Sequence, residues 1–309
     1  MRTSLSIDQL TNQFLSEQSI NDLSKKRYYS SLTNYWRWCA VNRKDMHGIT
    51  TADLQEYRNH VISAYSVKYS TSLIVIVKRF YSWIESKKYG DNFAAPLKLP
   101  KMSNEFTKEP LNEGQVLSLL GLFDRISLKS KRDYLIIRLM LVAGLRCVEV
   151  SRMNMGDIQQ YRGASVIWIQ RKGHTDKKDF IEISKLWNDI NDYITAVKDI
   201  GPDPPMFFSL SSNNANQRIS AAGIGKIITG YFKTAGIKSS NISPHSLRHT
   251  AAVTCIENSI TIDDIQLFLG HTKSEITKLY TRHANKDIKL KNKTGKFLAD
   301  YWDNLKVVK

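Results

Sequence analysis

The 309-residue chain carries 45 lysines and arginines against 29 aspartates and glutamates, a formal net charge of +16. At 42% apolar and 10% aromatic residues it is a folded chain rather than a disordered one, and its length favours two domains. Without an apolar run of about 18 residues, and with MRTSLSIDQLTNQ at its start, it is expected to be neither membrane-spanning nor secreted.

The first hundred residues read as four helices. Ile7, Leu10 and Phe14 share one helical face, and Tyr28, Leu32, Tyr35, Trp36 and Cys39 repeat the pattern after Ser24 as a cap. Thr50 and Asp53 form a capping box ahead of a helix reaching residue 64, and Leu73, Val77, Phe80 and Ile84 line a fourth helix over 70–86. From 87 to 110 the periodicity is lost among prolines and lysines, which reads as a basic linker. We place domain boundaries at 1–100, 101–110 and 111–309. Beyond the linker, 111–123 and 132–142 are predicted helical, and 164–170 and 180–183 are β-branched runs joined by the basic tip RKGHTDKKD. Further helices are predicted at 185–198, 221–235, 244–258, 261–269 and 273–284, followed by a lysine-rich tail whose apolar patch at Phe297, Tyr301 and Trp302 would dock on its own domain or a neighbour.

Two arginine motifs stand out. In SPHSLRH at 243–249, Pro244 suits a first helical turn, and His245 and Arg248 at i, i+3 project from one face near a helix N-terminus, a place that attracts phosphate. Alone, that spacing is common and a pair of solvated side chains explains it. His245 and His249 also have the spacing of a helical zinc site, but Ser246 stands where a metalloprotease needs its glutamate, so no metal is expected. Cys39, Cys147 and Cys255 lie far apart and encode neither a disulfide framework nor a zinc knuckle, which fits a reducing cytoplasm. GLRCVE at 144–149 sets Arg146 where a glycine breaks the preceding helix, and LGHT at 269–272 is followed by Tyr280 in KLYT.

In this order and spacing, GLRxxE, HxLRH, GH and the tyrosine beyond it resemble the tyrosine recombinase, or phage integrase, family. Lys172 on the hairpin tip looks like the family's strand-turn lysine, although Arg171 stands where the family usually has glycine, and Lys177 and Lys178 compete for the role. The resemblance implies a mainly α fold: an N-terminal four-helix core-binding (SAM-like) domain and an α+β catalytic domain with a small antiparallel sheet. No extra arm-binding domain is expected in front, so the plan is similar to compact Xer-type recombinases and small mobile-element integrases.

The implied site is Arg146, Lys172, His245, Arg248, His271 and the nucleophile Tyr280, with no cofactor. Two guanidiniums suit the charge on a pentavalent phosphorus, because each stays protonated and offers a planar fork of donors. A phenol with pKa near 10 is only about 0.1% ionised at pH 7, so a neighbour must take the Tyr280 proton, and His245 resembles the family's base. Lys172 would protonate the leaving 5′-oxygen, and His271 would hydrogen-bond the phosphate. Glu149 is expected to orient an arginine or histidine, Asp157 to be structural, and Cys147 to make the enzyme thiol-sensitive. The covalent intermediate conserves bond energy, so no ATP is required, and GxxxxGK[ST] does not occur.

The implied partners are double-stranded recombination sites, three further copies of the chain in a homotetramer, and in some systems a directionality factor; no membrane is involved. A type IB topoisomerase and a non-catalytic DNA-binding regulator are the competing classes. The segment SINDLSKKRYYSSL, less acidic than in Xer proteins, tilts the biological role toward integration or excision of a mobile element, with chromosome or plasmid dimer resolution as the alternative.

Overall fold

The computed structural model describes residues 5–45, 48–101, 109–197, 203–212 and 215–270. The chain divides into two compact units, Met1–Asn104 and Glu105–Lys309. Among the described residues, no helix is long and apolar enough to cross a membrane.

The first unit holds α1 (Ile7–Glu17), α2 (Asp22–Val41), α3 (Thr51–Ala64) and α4 (Val67–Ser86). Each begins at a side chain that accepts a bond from a free amide of the first turn: Ser6, Asn21, Thr50 and Ser66. Two starts differ from expectation. Ser24 is not the cap of α2, because Asn21 takes that place one turn earlier and accepts from the Ser24 amide at 2.9 Å. Helix α4 begins before Ser70, which is buried and donates its hydroxyl to Val61 O at 2.6 Å, tying α4 to α3. The core centres on Phe14, Leu32, Tyr35, Leu54, Phe80 and Tyr81, with the Tyr35 and Tyr81 hydroxyls 2.8 Å apart. The early part of the expected linker belongs to this unit. Ala94 and Leu97 are buried in its core, and Lys78 donates to Ala95 O and Leu97 O at 2.8 and 2.7 Å.

The second unit is built on α6 (Leu128–Val142), whose Leu135, Ile136, Ile137, Leu139 and Met140 are fully buried. Around it lie α5 (Glu113–Leu120), α7 (Cys147–Ser151), α8 (Trp187–Ile194), α9 (Ala221–Thr234), α10 (His245–Glu257) and α11 (Ile262–Leu269). Helix α10 packs on α6, and α11 packs on α10 through Ala252, Ile256, Ile265 and Leu269. The sheet is antiparallel, in the order β1 (Ile158–Tyr161), β2 (Ala164–Ile169), β3 (Asp179–Glu182), with Ile167 opposite both Ile158 and Ile181.

Strand β1 is an addition to the expected hairpin. Its side chains are largely exposed, so it lacks the in–out alternation that marks a half-buried strand. It turns into β2 through Arg162 and Gly163, both at positive φ (50° and 82°), the geometry of a two-residue hairpin turn. The expected helix at 273–284, the docking tail, His271 and Tyr280 lie outside the described residues.

Candidate active site

Helix α6 stops at Ala143, and Gly144 then turns the chain at φ 59°. A side chain at Gly144 would lie 2.7 Å from Leu269 Cδ2 and 3.0 Å from Phe268 Cε1, so this turn is fitted against the end of α11. Arg146 follows as the residue that opens α7, with Glu149 one turn on.

Glu149 is fully buried and organises the site. Its carboxylate accepts from the Arg146 amide at 2.8 Å, from Arg146 Nη1 at 2.7 Å and from the Lys172 amide at 3.3 Å. Arg171 Nη1 and Arg248 Nη1 stand 3.7 and 3.9 Å away. Burial alone would raise the pKa of this carboxyl. The bond from the Arg146 amide and the charges of Arg146 and Arg171 outweigh burial and hold it below its ordinary value.

Arg248 is also fully buried, one turn into α10. Its Nη1 donates to Gly144 O at 2.5 Å and its Nη2 to Leu269 O at 2.7 Å. The second bond falls on the C-terminal end of α11, where the helix dipole favours a cation. His245, the first residue of α10, keeps solvent access. Its pKa is pushed down to about 4, first by desolvation and then by the charges of Arg248, Arg146 and Lys172. The ring is therefore neutral at pH 7.

The hairpin tip is a turn in which the His174 amide donates to Arg171 O at 3.1 Å and Gly173 has φ 93°. A positive φ at the third position is the mark of a type II turn, and it places Lys172 at the exposed second position. Of the three competing lysines, Lys177 is bound to both oxygens of Asp157 at 2.7 and 2.6 Å, and Lys178 pairs with Asp176 at 2.6 Å. Among the described residues, the Lys172 amine has no such partner. Asp157 thus sits with Lys177, apart from the Glu149 cluster, and also accepts from the Asn154 amide at 2.7 Å.

Arg146, Glu149, Lys172, His245 and Arg248 come together here; His271 immediately follows the last described residue, Gly270. Two readings change. Burial raises the Cys147 thiol to about 11, which disfavours the reactive thiolate at neutral pH and argues against the expected thiol sensitivity. Arg171, met in the sequence only as a departure from glycine, is buried inside the cluster. The signal for it was Asp179, eight residues on, positioned to pair across the hairpin.

Cations gathered around one buried carboxylate form a site for an anion that a single charge would not satisfy. The comparisons agree with that chemistry. Residues 109–287 match the phage integrase family. Tyrosine recombinase XerA of Pyrococcus horikoshii is 29% identical over 74% of this chain and 73% of its own. Tyrosine recombinase XerD of Vibrio cholerae is 25% identical over 94% of this chain and 97% of its own. Among solved structures, the XerH site-specific recombinase bound to a palindromic difH substrate superposes with a TM-score of 0.72 at 16% identity, over 94% of this chain and 85% of its own. The chain belongs to the phage integrase family and is a tyrosine site-specific recombinase.

Proposed function

We propose that the protein cuts and rejoins DNA through a 3′-phosphotyrosyl intermediate on Tyr280. The observation that carries this reading is the fully buried carboxylate of Glu149, around which Arg146, Arg248 and the Lys172 turn converge. The Tyr280 oxygen attacks the scissile phosphorus and its proton passes to His245. The P–O5′ bond breaks, and the 5′-oxygen takes its proton from Lys172. Arg146, Arg248 and His271 meet the charge on the equatorial oxygens, a contribution of about 10²–10³ in rate per preorganised donor. Attack by the 5′-hydroxyl of another strand reverses these transfers and frees the tyrosine, so no ATP is consumed.

The neutral state of His245 supports its part as base. Desolvation and then the charges of Arg248, Arg146 and Lys172 lower its pKa, and a phosphate bound among those cations would offset the second of these causes. Arg248 gives two of its five N–H groups to Gly144 O and Leu269 O, which fixes the plane of the guanidinium, and both carbonyls lie beside glycines at φ 59°.

Residues 1–100 act as the core-binding domain, 101–110 as the linker and 111–309 as the catalytic domain. The break between compact units after Asn104 supports that division. Arg27, Lys68 and Arg79 line one groove of α2 and α4 with Tyr28, Thr71 and Ser72, a surface suited to phosphate contacts. By family resemblance four copies act on two DNA sites in the cytoplasm. The full-length match to XerD favours an Xer-type role in resolving chromosome or plasmid dimers. Integration or excision of a mobile element, with a directionality factor, is the second reading, carried by the basic SINDLSKKRYYSSL segment.

The test is covalent capture from a pool of nicked duplexes with a randomised centre. Wild type is expected to yield an SDS-stable adduct whose DNA, once sequenced, gives the site, while Tyr280→Phe yields none. An adduct with Tyr280→Phe would overturn the nucleophile, and no adduct with wild type would favour the regulator reading.

A further inference from the structure

We infer that Arg171 is a positioning residue that holds the Lys172 turn in register with the arginine pair and with the end of α11. Its three nitrogens reach three elements. Nε donates to Asp179 Oδ2 on β3 at 2.5 Å, Nη2 donates to Phe268 O in the last turn of α11 at 3.1 Å, and Nη1 stands 3.7 Å from Glu149 at α7. The residue is only 7% exposed, although it lies at the base of a charged, projecting hairpin tip. Gly270 is shaped to admit it: a Cβ there would lie 2.5 Å from Arg171 Nε and 2.9 Å from Cζ.

The adjacent Lys172 has no comparable anchor. Its amine is unpaired among the described residues, and its backbone is tied to Glu149 by one long bond of 3.3 Å. Where the amine stands relative to a phosphate therefore depends on how the turn is held; the His174 amide and Gln170 Nε2, which donates to His174 O at 2.7 Å, close it locally, and the neighbouring guanidinium is the side chain that ties it to β3 and α11. A planar fork can donate to β3 and α11 in different directions while its third nitrogen keeps its charge near Glu149, whereas a lysine ammonium is a single point charge and a glycine offers nothing. Arg171 touches no reacting atom in this scheme; it acts through Lys172, and also fixes the residue that precedes His271.

The inference rests on the proposed acid role of Lys172, so the test separates the two. The probe is the duplex recovered by adduct capture, made with either oxygen or sulfur at the bridging 5′ position of the scissile phosphate. A thiol leaving group has a pKa near 8.5 and departs without a proton donor. Lys172→Ala is expected to lose about 10²-fold or more on oxygen DNA and to recover on sulfur DNA. Arg171→Ala is expected to lose about 10-fold to 100-fold on oxygen DNA and to recover on sulfur DNA to within about threefold of wild type. The double variant should be no slower than Lys172→Ala alone, and Arg171→Lys should not restore the rate.

Equal losses of Arg171→Ala on both probes, beside a rescued Lys172→Ala, overturn the inference and leave Lys172 as the acid. A Lys172→Ala that sulfur does not rescue overturns the acid assignment itself, and this inference with it. If circular dichroism shows that Arg171→Ala does not fold, Asp179→Asn, which keeps the guanidinium but cuts its tether to β3, is expected to show the same oxygen-selective loss; a loss independent of the leaving group would overturn the inference.

Discussion

Glu149 grips Arg146 twice, through the backbone amide at 2.8 Å and through the guanidinium at 2.7 Å, so one carboxylate sets both where the arginine starts its helix and where its charge points. Glu149→Gln keeps the shape and removes the charge, leaving Arg146, Arg171 and Arg248 without their shared buried counterion. The expected result is a loss of about 3–5 kcal/mol in urea unfolding, together with a fall in adduct formation. Because the folded-state pKa of Glu149 is depressed, its contribution is fully present above the unfolded value of 4.5 and lost as pH falls through the lower folded value. The variant should therefore show a flatter loss of stability at acid pH than wild type; an equally steep profile would mean that Glu149 is not the carboxylate responsible.

His245 supplies a different pH signature. With a folded pKa of about 4 against an ordinary 6.5, the unfolded chain takes up a proton in that interval and the folded chain does not. Stability should decline as pH falls from about 6.5 toward 4 and then level off with respect to this group, and His245→Asn should remove that component. Proton NMR of the ring is expected to show a midpoint near 4 in the free protein and a clear upward movement with orthovanadate, a phosphate mimic. A midpoint indifferent to vanadate would separate His245 from the phosphate.

Gly270→Ala combines two penalties: a left-handed backbone at φ 59° and a methyl group driven into Arg171. A destabilisation of about 1–3 kcal/mol is expected from such strain, with Gly163→Ala, whose added Cβ meets nothing within 4 Å, as the control for φ alone. Thermal melts that place the two variants together would show that the Arg171 contact contributes nothing.

The groove of Arg27, Lys68 and Arg79 should reveal itself through salt. If each meets a phosphate, replacing one by alanine lowers the slope of log affinity against log salt by about 0.9. Fluorescence anisotropy on a duplex across a salt series measures it, and three unchanged slopes would move the DNA contact elsewhere.

Legibility in the sequence followed the range of the interaction. Thr50 with Asp53, and Thr261 with Asp264, are local pairs, and the helices they cap begin where the pattern puts them. The pattern puts the cap of α2 at Ser24, whereas Asn21, three residues earlier and also a capping residue type, takes that place in the fold. Strand β1 has an exposed face and left no hydrophobic rhythm to read. The motifs located Arg146, His245 and Arg248, but nothing local says that Glu149 also binds the amide of Lys172, 23 residues away, or that Arg171 reaches Phe268 O, 97 residues away. Those links exist only after α7, the hairpin and α11 have met.

The burial of Arg248 and its bonds to the carbonyls of Gly144 and Leu269 have a consequence for selectivity. A free phosphate or nucleotide would have to reach a guanidinium that is fully buried and hydrogen-bonded to backbone, with the binding energy of only a few contacts. A duplex brings many phosphate contacts from outside the site, and that remote binding energy can be spent on opening the arginine. On the proposed function, the resting protein would thus shield Arg248 from small anions with its own backbone and yield it to a ligand large enough to be held elsewhere.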